Sequence, residues 1–210
     1  MAGEIIINPL NTQRIEITLI GDTSLIMHKW SEKARRQLLE AQMTEVKSRK
    51  KDLRDPIADF VNTIYFLDRE PAEPTMEALN EYLQNGGRIG FPATAFKACA
   101  ISGAYQTGAD IKKTTARANI HIPDEFIVIE GEIVKREDMV RLGGINRVAD
   151  IRFRAEIRNW TAVVPVEFNS DLFSAQMVVN MFEQGGFAVG VGEWRPEKGG
   201  NFGRFHVQRG

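Results

Sequence analysis

The segment 190–205 is the part of the sequence best suited to binding a phosphate chain. Five of its positions are glycine, where a phosphate or a ribose can approach the backbone closely. Its cations and aromatic residues are Arg195, Lys198, Arg204, Trp194 and Phe202. The cations can neutralise phosphates and the rings can stack on bases, so the pattern favours single-stranded nucleic acid as the ligand. The alternative is a flexible hairpin loop around a buried tryptophan.

Positive charge is concentrated in four windows, although the whole chain has a formal net charge of −1. Residues 28–54 contain nine Lys/Arg against four Asp/Glu, and the other windows are 110–121, 141–158 and 194–210. If the fold gathers these windows, they form a surface for phosphates; otherwise each is an ordinary solvated face. The further candidates for contact with nucleic acid are Lys29, Trp30, Lys47, Arg49, Lys50, Lys51, Lys97, Lys112, Lys113 and Arg117.

Catalytic and metal chemistry have little support in the sequence. Three histidines and one cysteine, none at ligand spacing, argue against a zinc site, and Cys99 lies among small apolar residues that indicate packing. No GxxxxGK[ST] motif is present. Asp22, Asp52 and Asp55 lie near the basic windows and could bind Mg²⁺, but turns and helix caps are the commoner use of such residues. We expect no catalytic residues, no metal and no cofactor.

Periodicity predicts the elements that must position these residues. Strands are expected over Arg14–Ile20, Arg88–Phe91, Phe126–Val134 and Asp150–Phe168 (one bent strand or two), Phe187–Gly192 and Gly203–Val207. Helices are expected over Glu32–Lys50, from Pro56, over Met76–Leu83, from Pro92–Thr94, and from Asn169 or Ser170 to about Gln184. Gly185 and Gly186 are expected to end the last helix.

This order predicts an α+β fold, with helices packed on an antiparallel sheet, as one domain over 1–210. Residues 51–87 are predicted to be a helical insertion, and residues 104–124 a mobile basic loop.

Composition predicts a folded globular protein, since 43% of the residues are hydrophobic and 26% are charged. No apolar run approaches the length that spans a bilayer. Because the single cysteine allows no internal disulfide and no signal peptide is evident, we expect a cytoplasmic protein, in a bacterial cell and with a phage gene as one source.

Three segments follow a pattern shared with one family: the first strand with Gly21–Leu25, Ile89–Ala98 (IGFPATAFKA) and residues 190–205. In this order they resemble the opening strand and loop, the IPGSSLKGALR strand-to-helix junction and the C-terminal glycine-rich loop of the RAMP superfamily. These are the RRM-like proteins of CRISPR systems that include the Cas7 backbone subunits. These segments cover about a third of the chain and stand in the order of the family. The Gly-Phe-Pro-Ala segment and His28–Ala34 together are also similar to uncharacterised bacteriophage proteins.

The resemblance implies a modified ferredoxin-like (RRM-like) sheet, binding of single-stranded RNA and side-by-side assembly along the strand. The chain departs from the family at the junction, where Ala98 replaces the usual glycine and Cys99-Ala100-Ile101 replaces Ala-Leu-Arg. The basic residue expected one turn on is therefore missing, and Lys97 is the remaining candidate.

We expect a non-enzymatic homo-oligomer that binds single-stranded RNA, with single-stranded DNA as the alternative ligand. Two other classes remain open. One is a metal-dependent endonuclease on the same fold that uses Asp22, Asp52 or Asp55. The other is a self-assembling phage structural protein that binds no nucleic acid.

Overall fold

The computed structural model describes residues 9–30, 35, 39, 54–106, 108, 111–141 and 149–209. In chain order its strands are β1 (Thr12–Gly21), β2 (Leu25–Met27), β3 (Tyr65–Phe66), β4 (Ile89–Pro92), β5 (Ile120–His121), β6 (Phe126–Val128), β7 (Glu130–Arg141), β8 (Ala149–Asn169) and β9 (Phe205–Val207). Its α-helices are α1 (Pro56–Val61), α2 (Met76–Gln84), α3 (Ala93–Gln106), α4 (Lys113–Asn119) and α5 (Ala175–Ala188). A 3₁₀ turn covers Pro196–Lys198.

The central sheet is built around β8, which pairs antiparallel with β1 on one edge and with β7 on the other. Because β9 pairs antiparallel with β1, the four main strands lie in the order β9-β1-β8-β7. Along the chain, α3 lies between β1 and β7, and α5 lies between β8 and β9. This is the β-α-β-β-α-β arrangement of a ferredoxin-like fold. The predicted α+β class with an antiparallel sheet is confirmed.

The core lies between this sheet and the two long helices. The alternating residues Ile17 and Leu19 of β1 oppose Val164 and Ala162 of β8, and all four side chains are buried. Strand β8 runs without interruption from Ala149 to Asn169, so the predicted Asp150–Phe168 segment is one strand. Apolar residues at every second position fix the register, because a slip by one residue would expose them.

The helices α3 and α5 cross where two glycines face each other. A Cβ atom on Gly103 would collide with the backbone of Gly185. This close approach explains why α5 runs through Gly185 and Gly186 to Ala188, whereas the sequence predicted that the helix ends there. The prediction of a strand over Phe187–Gly192 is wrong. Its first two residues belong to α5, and the other four form a turn and a loop.

The helical insertion predicted at 51–87 contains α1, β3 and α2 in its described part. Asp55 caps α1 by accepting hydrogen bonds from the amides of Ile57 (2.9 Å) and Ala58 (3.1 Å), and Thr75 caps α2. Strands β3, β4 and β6 form a second, three-stranded sheet. The predicted starts of both helices are confirmed.

The structure differs from the sequence prediction at residues 104–124. Helix α3 continues to Gln106, and Lys113–Asn119 form α4, where a loop was expected. Two adjacent threonines give this segment little helical propensity, so packing has to stabilise the helix. Ala116 is fully buried against the core, and Lys97 Nζ donates to the carbonyl oxygen of Arg117 at 2.9 Å.

The helix predicted over Glu32–Lys50 lies outside the described residues, except for Arg35 and Leu39, which are both helical. In the described part of the chain, no helix has the length and apolar character needed to cross a bilayer.

Strand β9 lies at one edge of the central sheet, and a side chain covers part of that edge. The backbone N–H of Val207 donates to Glu183 Oε2 at 2.7 Å, so a carboxylate of α5 occupies a position that a further strand would use.

Candidate nucleic-acid interface

The glycine-rich segment after α5 forms a tightly bonded loop. The amide of Val191 donates to the carbonyl oxygen of Gly203 (2.9 Å), and the amide of Phe202 donates to that of Trp194 (3.0 Å). Gly203 adopts a φ of +66° and lies so close to the Val191 carbonyl oxygen that a Cβ atom would collide with it. The loop therefore has a fixed backbone, contrary to the alternative of a flexible hairpin.

Trp194 occupies a backbone conformation that favours glycine, with a φ of +55°. Its side chain is 43% exposed, so the alternative of a buried tryptophan does not hold. A large aromatic residue is therefore held at the surface by a loop whose hydrogen bonds determine its conformation. Backbone strain of this kind is typical of functional sites.

A cavity of about 550 Å³ lies between this loop and α3. One wall is a single face of α3, since Ala95, Ala98, Cys99 and Ser102 follow helical spacing. Phe91 and Tyr65 supply aromatic surface, and Gly190–Arg195 form the opposite wall. The strand-to-helix junction at 89–98 and the glycine-rich loop, which lie about a hundred residues apart in the sequence, thus line one cavity.

Lys198 and Arg195 bring positive charge to the rim of this cavity. Arg195 is partly neutralised, because its guanidinium contacts Glu197 at 2.7 Å and donates to the Gly192 carbonyl oxygen at 3.1 Å. Lys198 is exposed and pairs with no carboxylate in the described part of the chain. Lys198 is thus the better placed of the two for a phosphate.

A hydrogen-bonded chain of side chains closes one end of the cavity. His28 Nδ1 lies 2.9 Å from Glu193 Oε1, and Glu193 Oε2 lies 2.9 Å from a guanidinium nitrogen of the buried Arg154. The hydrogen bond to His28 and the charge of Arg154 hold the pKa of Glu193 below its usual value, against the opposing effect of burial. Glu193 is therefore an ionised acceptor in a fixed position.

The other cavity wall carries no charge. Burial raises the pKa of the Cys99 thiol to about 12, so this side chain is neutral at physiological pH. The packing role predicted for Cys99 is confirmed by its burial.

A second group of the predicted contact residues lies around α4. Lys113 stacks over the ring of the exposed Tyr105, with 4.4 Å from its Nζ to the ring centroid. Lys112 and Arg117 are exposed and lack carboxylate partners among the residues that the structure describes. Lys97 points to this group through its bond to Arg117, and burial lowers its pKa. The cavity-lining residues of α3 lie on another face of that helix.

Phe202 and Arg204, also predicted from the loop, engage other parts of the protein. The Arg136 guanidinium covers one face of the Phe202 ring at 4.5 Å, and Arg204 lies 5.1 Å from the ring centroid of the exposed Phe187. Arg204 remains half-exposed without a carboxylate partner among the described residues.

Lys29 and Trp30 follow His28 at the end of the cavity. Lys29 pairs with Glu70 at 3.0 Å, and Trp30 is exposed. Four other candidates, Lys47, Arg49, Lys50 and Lys51, lie outside the described residues.

Three arginines of the basic window 141–158 are paired with carboxylates. Arg152 pairs with Asp150, Arg154 with Asp138 and Glu193, and Arg158 with Glu156. Arg154 links β8 to β7 and to the glycine-rich loop. These arginines therefore have a structural role.

The aspartates that could bind Mg²⁺ have other partners where they are described. Asp55 caps α1, and Asp22 Oδ1 lies 2.6 Å from His206 Nδ1. Asp52 lies outside the described residues. In the described segments, no three His, Cys, Asp or Glu side chains are grouped so that they could hold a metal ion.

Sequence reasoning missed Tyr65, Glu193 and Arg154. Glu193 adjoins a predicted site residue, but its two partners come from distant elements that the sequence does not bring together. The small residues Ala95, Ala98 and Ser102 carried a usable signal, because their spacing marks one face of a helix that a ligand can approach.

Comparison of the sequence with known protein families and with curated proteins gives no match. Among solved structures, the crystal structure of Cmr6 from Pyrococcus furiosus aligns with 95% of this chain and 100% of its own chain. The sequence identity is 11% and the TM-score is 0.41. The fold assignment rests on the strand order described above.

Proposed function

We propose that this protein is a non-enzymatic binding protein for single-stranded nucleic acid, with RNA as the favoured ligand, and that copies assemble side by side along the strand. The observation that carries the proposal is the surface position of Trp194, in a strained and well-bonded loop, beside the unpaired Lys198. A ring that can stack on any base and a cation that can meet a phosphate are the two components of sequence-independent binding. Two of the three segments that resemble the RAMP superfamily, residues 89–98 and 190–205, support the proposal, because they line the same cavity.

The binding free energy comes from phosphates and from base stacking. Lys198 and the α4 cations Lys112, Lys113 and Arg117 attract the phosphate chain, and binding releases its counterions. Stacking on Trp194 contributes without sequence preference, because every base has an aromatic face. The nucleotide sequence of the strand then has little effect on affinity.

The test is fluorescence anisotropy with labelled single-stranded RNA, single-stranded DNA and duplex DNA at two salt concentrations. We expect salt-sensitive binding to single strands, tightest for RNA. Trp194→Ala should weaken binding about 5- to 150-fold, which corresponds to the roughly 1–3 kcal/mol of one stacked base. Trp194→Phe should retain most of the affinity, since it keeps an aromatic ring.

Arg209→Ala is the matched control for Lys198→Ala, since Arg209 is an exposed cation that does not line the cavity. Unchanged affinity in both Trp194→Ala and Lys198→Ala would contradict the proposal. Size-exclusion chromatography of the same mixtures tests assembly, which requires particles that grow with strand length. Cleavage of the labelled strand in Mg²⁺ would instead support the endonuclease.

A further inference from the structure

We infer that Tyr105, at the C-terminal end of α3, is a second stacking platform for the bound strand, and that α4 holds its ring in place. The inference rests on the proposed function and adds a base contact to it outside the cavity. The ligand of this platform is any base of a single strand, because stacking requires only an aromatic face.

Tyr105 continues a row of α3 residues that begins at the cavity. Ala95, Ala98, Ser102 and Tyr105 follow one another at intervals of three, four and three residues, which places them on one face of the helix. The first three line the cavity, and Tyr105 does not. At 1.5 Å per residue, Tyr105 lies about 10 Å beyond Ala98 along the helix axis. Since stacked nucleotides of one strand are about 3.4 Å apart, a strand of a few nucleotides spans this distance.

The ring of Tyr105 is exposed, and a cation covers one of its faces. Tyr105 is 59% exposed, and Lys113 Nζ lies 4.4 Å from the ring centroid. An ammonium group over an aromatic face is attracted to it and orients the ring. The opposite face is open to a base.

Helix α4 is anchored to the core, and this fixes the position of Lys113. Ala116 is fully buried, and Lys97 Nζ donates to the carbonyl oxygen of Arg117 at 2.9 Å. Lys97 makes this contact from another face of α3, so α4 is attached independently of the residues that line the cavity. Because the ring and the helix that supports it are already ordered, a base that stacks on Tyr105 has little ordering to impose.

The charges around Tyr105 suit a nucleic acid. Residues 111–121 contain Lys112, Lys113 and Arg117 and no Asp or Glu. Lys112 and Arg117 are exposed, without carboxylate partners among the residues that the structure describes. The phosphates on either side of a base stacked on Tyr105 would face these cations. An apolar peptide on the same ring would leave them without partners.

The test measures the affinity for two labelled strands of equal length, one with normal nucleotides and one in which every base is absent. Tyr105→Ala should weaken binding of the normal strand about 5- to 150-fold, the loss expected for one stacked base, and should leave binding of the abasic strand unchanged. Tyr105→Phe should bind both strands as the wild-type protein does, because it keeps the ring. Lys112→Ala should weaken binding of both strands, since it removes a phosphate contact.

Phe187→Ala is the matched control for Tyr105→Ala. Phe187 is also an exposed ring with a cation beside it, since Arg204 lies 5.1 Å from its centroid, but it belongs to α5. Its removal should leave both affinities unchanged. Both variants change exposed side chains and are expected to fold, and their thermal unfolding checks this. Combining Tyr105→Ala with Trp194→Ala should multiply the two losses, as expected for separate contacts.

The two proposals fail in different ways. The inference is overturned if the folded Tyr105→Ala variant binds the normal strand as tightly as the wild-type protein, or if it loses the same factor with the abasic strand. It is also overturned if Phe187→Ala shows the same loss, or if the double variant binds no more weakly than Trp194→Ala alone. In each of these cases the proposed function still stands on Trp194 and Lys198. If the wild-type protein binds neither strand, the proposed function itself is refuted, and the inference with it.

Discussion

The conformation of Trp194 depends on glycines that do not touch its ring. Its positive φ costs a non-glycine residue on the order of 1 kcal/mol or more, and the surrounding loop has to supply that free energy. Gly203 is central to this, because its amide donates to the Ser24 carbonyl oxygen at 2.8 Å while its carbonyl oxygen accepts from Val191. The position of the exposed ring is thus a property of the loop backbone.

Gly203→Ala should lower the free energy of unfolding by more than Gly199→Ala. Both glycines have a positive φ, which costs alanine about 1–2 kcal/mol. A Cβ atom at position 203 would also collide with the Val191 carbonyl oxygen, whereas the space around position 199 is open. Urea denaturation of the two variants measures the difference. Equal losses would show that the loop can shift to accommodate the added methyl group.

At the level of single residues, the sequence predicted the chemistry of the loop but could not predict its partners. Trp194, Arg195 and Lys198 line one cavity, which the sequence did not predict. Phe202 and Arg204 come from the same loop, yet they stack on Arg136 and Phe187. The direction of each side chain depends on backbone angles that adjacent glycines leave open in the sequence.

At the scale of secondary-structure elements, local sequence rules predicted some elements and failed for others. Caps and alternating apolar residues predicted the starts of α1 and α2 and the long β8. The same local rules failed at Gly185, which serves the close crossing of α5 with α3, and at α4, whose packing against α3 offsets its low propensity. Both failures occur where contacts distant in sequence decide the local structure.

Asp68, which follows β3 in the helical insertion, binds Arg88 directly before β4. Its carboxylate accepts from the backbone N–H of Arg88 (2.9 Å) and pairs with the guanidinium of the same residue (2.8 Å). These contacts with Arg88 lower the pKa of Asp68 to about 2. A carboxyl whose pKa is lower in the folded state stabilises the fold above its unfolded pKa, and this contribution disappears as the pH falls through the folded pKa.

Asp68→Asn should therefore lower the melting temperature at pH 7, and the difference from the wild-type protein should shrink as the pH falls from about 4 toward 2. Asp124→Asn is the control, because Asp124 is exposed and pairs with no cation in the described segments. Thermal unfolding followed by circular dichroism across this range makes the measurement. A difference that is constant with pH would mean that Asp68 acts through its shape and hydrogen bonds alone.

At the scale of the whole molecule, the charge windows of the sequence separate into two kinds. The arginines of β8 pair with Asp138, Asp150, Glu156 and Glu193, so their charge is balanced within the fold. The cations of α4 and Lys198 have no such partners among the described residues. A count of basic residues in a sequence window cannot distinguish these cases, because the balancing carboxylates come from other elements.

The unpaired cations determine how binding should respond to salt. If Lys112 and Lys113 each contact a phosphate, removing both should reduce the slope of log affinity against log salt by about 1.4, at roughly 0.7 per contact with a single strand. The affinity of this double variant should be lower than that of the wild-type protein by the same factor for strands of different sequence. Arg152→Ala with Arg158→Ala is the matched control, since both arginines pair with carboxylates. Anisotropy titrations at several salt concentrations measure the slope. An unchanged slope would show that these two lysines do not contact the phosphates of the strand.

The carboxylate of Glu183 at the β9 edge limits how copies of this protein can join. An unpaired strand edge offers a template on which identical chains can polymerise without end, as in amyloid. Here the Val207 amide already has its acceptor, so this route to a fibre is obstructed at that edge. Copies that assemble side by side along a strand, as proposed above, would therefore have to join through surfaces other than this part of the β9 edge.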